Sequence, residues 1–248
     1  MSKDTPTKLK VLLPKPIKSV LRKWYRRTLV NRYECFLRKL EIKQNQLLIL
    51  STIARSGTHY TKFLFANYIK LASGIDNGPV TPKEMNSMLP NIWHYAYLGG
   101  HPFSPAGTRK FKKPTPDLAL LGLVDIPRSH YPYMHSYWGK SPILHIYRNP
   151  LDYAVSIYHY KFKDQKRDLS TSNNGLTTAG DMPTIANPVE ALEYRFDDYV
   201  NMYLSYRSEA QRSRPQLLRM SYEDLKRSPE ACLRMIIRWL GIEPHSST

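Results

Sequence analysis

Arginine, serine, glycine and threonine follow one another at Arg55-Ser56-Gly57-Thr58, directly after the apolar run Leu47-Leu48-Ile49-Leu50 and the link Ser51–Ala54. The run predicts a short buried strand. Beyond the loop, Tyr60, Phe63, Leu64, Asn67, Tyr68 and Leu71 recur at helical spacing. A strand, a tight loop of small residues and a helix N-terminus together cradle an anion. Loop and helix N–H groups face the ligand, the helix dipole favours negative charge, and Gly57 lets the backbone come close. Arg55 adds a fixed cation to that cradle. The loop is not that of a nucleoside triphosphatase, because no glycine stands five residues before Gly57 and no lysine follows it. No acidic strand end offers a magnesium ligand either.

The composition fits an anionic ligand. The net charge is +17 over 248 residues, and residues 1–43 carry thirteen Lys and Arg against three acids. Such a balance expects nucleotide, nucleic acid, acidic glycan or lipid surface as partner. No nucleic-acid-binding motif accompanies the charge, so specific nucleic-acid recognition is not expected. With 42% apolar and 23% charged residues the chain reads as an ordinary globular protein. Cys35 and Cys232 have neither metal-ligand spacing nor a disulfide framework, which favours a reducing, cytoplasmic compartment and no metal. No apolar run approaches the roughly 20 residues of a membrane span. The first 16 residues, polar and broken by prolines, are not a signal peptide but a basic leader.

The elements that must hold the cradle follow in order. Ile17, Val20, Leu21, Trp24, Tyr33, Phe36, Leu37 and Leu40 predict a basic amphipathic helix, which either docks its stripe on the domain or lies on anionic lipid. Residues 72–118 are rich in turn signals, with short helices expected at Pro82–Leu89 and around Ile92–Tyr97. Trp93, Tyr95, Tyr97 and Phe103 either line an acceptor pocket or pack a core. Leu118–Ile126 suits a strand or a helix end, and Pro127–Tyr133 reads as a polar segment. Ile143–Tyr147 is a second buried strand running into Arg148-Asn149-Pro150, and Pro150 opens a helix through Tyr160. A polar, mobile loop is expected over 163–188. A helix follows over Pro188–Gln211, then a strand at Leu217–Ser221 and a last helix over Pro229–Leu240, closed by Gly241. Strands alternating with helices argue an α/β fold with a parallel sheet.

Three segments in register carry a resemblance. Arg55-Ser56-Gly57-Thr58 after a strand, Tyr147-Arg148-Asn149-Pro150 with Ser156 eight residues past Arg148, and Ser221-Tyr222-Glu223-Asp224-Leu225 before a helix are similar to the sulfotransferases that use 3′-phosphoadenosine 5′-phosphosulfate (PAPS). The similarity runs from about Leu47 to Gly241, with 72–118 unmatched. It implies a three-layer, P-loop-like fold with a central parallel sheet flanked by helices, preceded by the basic helix. The domain division is then 1–43 for leader and helix, and 44–248 for the sulfotransferase domain.

The resemblance also implies roles. Arg55, where cytosolic members usually place lysine, stands beside the bridging oxygen on which charge grows. The backbone of Ser56, Gly57 and Thr58 adds donors there, with His59 on the same loop. Arg148 and Ser156 resemble the pair that binds the 3′-phosphate. Tyr60 falls where the family often stacks a tryptophan on adenine, and a tyrosine there either stacks or packs. Tyr222 is placed near the adenine or in the core. His130, in Arg128-Ser129-His130, resembles the family's Lys-Thr-His and so its general base. His59, His94, His101 and His135 are rivals, and Asp125 is the candidate if the base is a carboxylate.

The implied activity is transfer of a sulfuryl group from PAPS to an acceptor hydroxyl on a glycan, a glycolipid or a small alcohol or phenol. The alternative is an inactive nucleotide- or polyanion-binding protein of the same fold. Residues 17–40 are the candidate contact with an anionic membrane or glycan. The family's C-terminal Arg-Lys-Gly element has no counterpart before Thr248. Arg109, Lys110, Lys112 and Lys113, or the basic N-terminal region, are therefore expected to complete the 3′-phosphate site, or the site is more open.

Overall fold

The computed structural model describes residues 43–53, 55–74, 78–89, 116–130, 132–133, 141–161, 185–212 and 214–243. The helix expected over 17–40, the one around Ile92–Tyr97, the loop over 163–184 and the basic group Arg109 to Lys113 lie outside these residues.

The first strand, β1 (Ile49–Thr52), is buried along its whole length because the sheet is covered on both faces. Alternation then sorts its neighbourhood. Leu48 and Leu50 join Phe65, Ile69, Leu144 and Ile146 in one core, whereas Leu47 and Ile49 join Ile143, Tyr153, Ile157 and Tyr206 in the other. The apolar run Leu47–Leu50 fits a position between two helical layers, and the buried hydroxyls of Ser51 and Thr52 that end β1 are satisfied by Tyr206 OH and Thr58 Oγ1. Each fully buried Leu or Ile contributes about 1.5–3 kcal/mol relative to exposure.

The remaining strands are β2 (Arg128–Ser129), β3 (Ile143–Tyr147) and β4 (Leu217–Ser221). All pairings are parallel, in the spatial order β2-β1-β3-β4. Among the described residues, α1 (Thr58–Ala72), α2 (Pro82–Met88), a short α5 (Tyr222–Arg227) and α6 (Pro229–Trp239) cover the first core. The second is covered by α3 (Pro150–Lys161) and α4 (Pro188–Gln211). This is the three-layer α/β fold expected from the sequence.

Several boundaries have identifiable causes. The N-cap Thr81 and Glu84 form a capping box on α2, and Asn187 caps α4 ahead of Pro188. Three segments add to or differ from expectation. Pro116–Leu121 is a 3-10 helix, after which Asp125 makes an isolated parallel bridge to Leu47. Arg128–Ser129, within the segment Pro127–Tyr133 read as polar, is an edge strand: Leu50 N–H donates to Pro127 O at 2.9 Å, and Ser51 sits opposite Ser129. Ser221–Leu225 precedes the last helix as expected but also opens the short α5, because Ser221 Oγ accepts from Asp224 N–H at 3.0 Å.

Among the described helices, none is long and apolar enough to cross a membrane.

One buried group has a consequence for stability. His145, in the middle of β3, is fully buried and stacks on Tyr206 with ring centroids 3.9 Å apart. Burial, and next the Arg219 guanidinium, hold its pKa well below the ordinary imidazole value, against a weaker opposing effect of the Ser51 backbone. The unfolded chain therefore binds a proton that the folded chain refuses. Stability is full above the unfolded value of about 6.5 and falls as pH drops below it, by about 1.4 kcal/mol per pH unit per group. His145→Phe, which keeps a stacking ring, is expected to remove one proton from that slope. Unfolding free energy measured in urea between pH 5 and 7.5 checks this, and an unchanged slope would contradict it.

Candidate functional site

The chain order places β2 on one side of β1 and β3 on the other, so the connections part between β1 and β3. In open parallel sheets a ligand binds outside the carboxyl ends of the strands at such a point. Two loops meet there: Ile53–Gly57 after β1, and Arg148-Asn149 after β3.

The first loop turns tightly, with Ser56 N–H donating to Ile53 O at 2.9 Å. Arg55 sits in the left-handed region at φ 65°, an uncommon conformation for a residue with a Cβ. Gly57 follows at φ 93° as the N-cap of α1, with no side chain capping that helix. Among the described residues the first N–H groups of α1 thus have no side-chain cap, which is the condition for receiving an anion. His59 stands one residue inside the helix. Burial lowers its pKa first, helped by Arg128, Lys62 and Arg55, so it marks a strongly cationic neighbourhood.

Gly57 is also required sterically. A Cβ there would run into Cδ2 and Cε2 of Tyr222, whose ring closes over the loop from the start of α5. Gly57→Ala combines that clash with the left-handed strain and is expected to cost about 2–4 kcal/mol. Denaturant unfolding of Gly57→Ala and of Gly57→Ala/Tyr222→Ala checks it. The double variant should recover the steric part only.

Arg148 joins the two loops. Its Nη1 donates to Arg55 O at 3.1 Å, its guanidinium carbon lies 5.0 Å from the Tyr222 ring centroid, and its own carbonyl accepts from Tyr199 OH at 2.6 Å. Tyr60 meets Tyr222 edge to face at 5.9 Å. Lys226 also lies over Tyr222, at 6.0 Å. Arg148, Tyr222, Glu223, Lys226, Arg227 and Asp152 line a cavity of ≈ 350 Å³. A second, of ≈ 430 Å³, also bordered by Arg148 and Glu223, opens against Tyr147, Tyr199 and Tyr203. Glu223 helps hold the second loop, accepting from Asn149 N–H at 3.2 Å.

Ser156 is half-buried on α3. Asp152, Ser156 and Tyr160 are four residues apart and share one helix face. Asp152 lines the cavity beside Arg148, and Tyr160 lies under the Arg55 guanidinium at 4.3 Å, which puts Ser156 on the stretch between them.

His130 follows β2 at the level of Thr52. Its Nδ1 lies 2.7 Å from Thr52 O and 3.2 Å from Thr52 Oγ1, and Thr52 Oγ1 lies 2.6 Å from Thr58 Oγ1. A proton on Nδ1 satisfies the Thr52 carbonyl, and the neutral ring then carries its lone pair on Nε2. Burial lowers the His130 pKa most, opposed by the Thr52 carbonyl, with Arg128 lowering it further. Asp125 is 5% exposed and accepts from Ile126 N–H at 2.7 Å. It also faces Lys62, a buried lysine whose Nζ donates to Leu89 O at 3.3 Å and whose pKa burial lowers to about 8. Asp125 is thus buried, bonded to the chain beside it and close to the Lys62 charge.

The structure brings Arg55, Ser56, Gly57, Thr58, His59, Tyr60, His130, Arg148, Ser156 and Tyr222 to one end of the sheet. His94, His101 and His135 lie outside the described residues. Thr52 and Tyr160 join the site without belonging to any of the sequence segments that mark it. Thr52 closes a buried strand, and Tyr160 stands one helical turn after Ser156. Those spacings are the available signals.

The sulfotransferase-domain family profile matches residues 45–248, and the chain belongs to that family. No curated protein matches by sequence. Among solved structures it is similar to retinol dehydratase in complex with retinol and PAP, at 18% identity and a TM-score of 0.45, covering 80% of this chain and 61% of that one. Mouse sulfotransferase SULT7A1 complexed with PAP gives 17% and 0.45, covering 83% and 61%. Retinol dehydratase in complex with androsterone and inactive cofactor PAP gives 15% and 0.49, covering 82% and 62%. This chain therefore spans 61–62% of the length of those structures.

Proposed function

We propose that this protein transfers a sulfuryl group from PAPS to an acceptor hydroxyl. The observation that carries the reading is Arg148 tying the two loops together beside buried donors with unmet demand. Ser56 Oγ and Arg148 Nε are buried and have no hydrogen-bond partner among the described residues. Phosphate oxygens at this place would satisfy both, along with the uncapped N–H groups of α1.

In this reading the first loop and Arg55 hold the phosphosulfate end, and Arg148 with Ser156 holds the 3′-phosphate. Tyr60 and Tyr222 offer faces for the adenine. His130 Nε2 takes the acceptor proton as the new oxygen–sulfur bond forms and the bond from sulfur to the 5′-phosphate oxygen breaks. The departing phosphate carries the negative charge, which Arg55 and the loop donors stabilise where it develops. His130 is favoured over Asp125 because Asp125 is buried against Lys62. The acceptor is proposed as a glycan, a glycolipid or a small alcohol or phenol. Residues 17–40 are assigned to peripheral contact with an anionic membrane or glycan, and the compartment to the cytoplasm.

The test is release of PAP from PAPS, labelled with ³⁵S, in the presence of a panel of phenols, alcohols and glycans. Acceptor-dependent release with label on the acceptor is the expected result. A chain that binds PAP tightly yet transfers to no acceptor would favour a nucleotide-binding role without turnover.

A further inference from the structure

We propose that Tyr160 is a positioning residue for Arg55, fixing its guanidinium plane at the phosphosulfate end of the site. The inference rests on the proposed transfer reaction and extends it to a residue outside the three sequence segments.

The Arg55 backbone is pinned by the Arg148 bond to its carbonyl and by the Ile53–Ser56 turn. Among the described residues no hydrogen bond or ion pair holds its side chain, whose guanidinium ends a flexible stem. Tyr160 holds it instead. Its ring centroid lies 4.3 Å from the guanidinium carbon, well within cation–π range. Tyr160 is 63% exposed and belongs to neither core, so packing does not explain its place.

Stacking suits arginine chemistry. The five N–H donors of a guanidinium lie in its plane, so a ring covering one face leaves every donor edge available to phosphate oxygens. A lysine ammonium has no plane for a ring to set. Arg55 and Tyr160 are therefore a matched pair: the ring holds the plane, and the plane directs the donors to the oxygen that becomes charged. The effect belongs to kcat more than to nucleotide binding, which Arg148 and the loop N–H groups also supply.

The test is a double-mutant cycle on the full chain, joined to NMR of the Arg55 Nε–Hε group. Tyr160→Ala is expected to lower kcat about fivefold in the Arg55 protein and by less than about twofold in Arg55→Lys. Tyr160→Phe keeps the wild-type rate, since the face and not the hydroxyl is used. Within each Arg55 background, PAP affinity and thermal stability stay level between Tyr160 and its variants. The Arg55 Nε–Hε signal should show a ring-current shift in wild type and Tyr160→Phe that disappears in Tyr160→Ala. Equal losses in both backgrounds, or a signal indifferent to Tyr160, would overturn the assignment. A shift that depends on Tyr160 in a protein that transfers nothing supports the pairing and counts against the transfer reaction instead.

Discussion

Arg148→Ala is expected to abolish the preference for a 3′-phosphorylated nucleotide, weakening PAP by about 10- to 100-fold while AMP changes far less. The size follows from losing charge-assisted bonds to a dianion in a half-buried site. Removal also frees Arg55 O from its 3.1 Å bond and takes away the cation over Tyr222. Both loops then lose their shared anchor, and the transfer rate should fall further than the affinity does. Arg148→Lys separates charge from shape. Lysine retains the charge but not the fork that reaches Arg55 O and a phosphate together, so it should recover part of the PAP affinity and little of the rate. Calorimetric titration of PAP and AMP into the three proteins checks this.

The second large effect is at His130. His130→Asn keeps a side-chain N–H near the Nδ1 position for the 2.7 Å bond to Thr52 O, yet has no basic nitrogen. It should fold, bind PAP as wild type does, and lose about 10²- to 10⁴-fold in kcat. The same histidine predicts a pH profile. Its pKa is lowered, chiefly by burial, so the neutral base persists below the ordinary imidazole range. The acidic limb of kcat/KM, which reports the free enzyme, should therefore fall below about pH 6.5. An enzyme that transfers normally with asparagine at this position would place the base elsewhere.

Much of this site is legible in the sequence, and the reasons are local. Leu47–Leu50 is an uninterrupted apolar run and Ile143–Tyr147 is one broken only by His145, each beside a loop of different chemistry, and α1, α3 and α6 show helical spacing from their first turns. The parts that are not legible depend on neighbours distant in the chain. β2 is two residues long and follows Pro127, so no alternation betrays it, although its pairing with β1 delivers His130 to Thr52. Tyr222 reads equally as core or as ligand site; only the approach of its ring to Gly57 explains why both residues are what they are. Tyr160 reads as no more than the end of a helix. Its partner lies in a loop that leaves β1, and no spacing along the chain relates the two. Asp125 is a plausible base by position alone, and its burial against Lys62 gives it other work.

The claim on which the rest depends is that the crevice between β1 and β3 recognises a nucleotide by its 3′-phosphate. Comparing PAP with AMP by thermal unfolding of the unmodified protein tests it directly, because a ligand that prefers the folded state raises the midpoint. The expected result is a clear rise with PAP at concentrations where AMP gives little. Equal responses to the two nucleotides would contradict it.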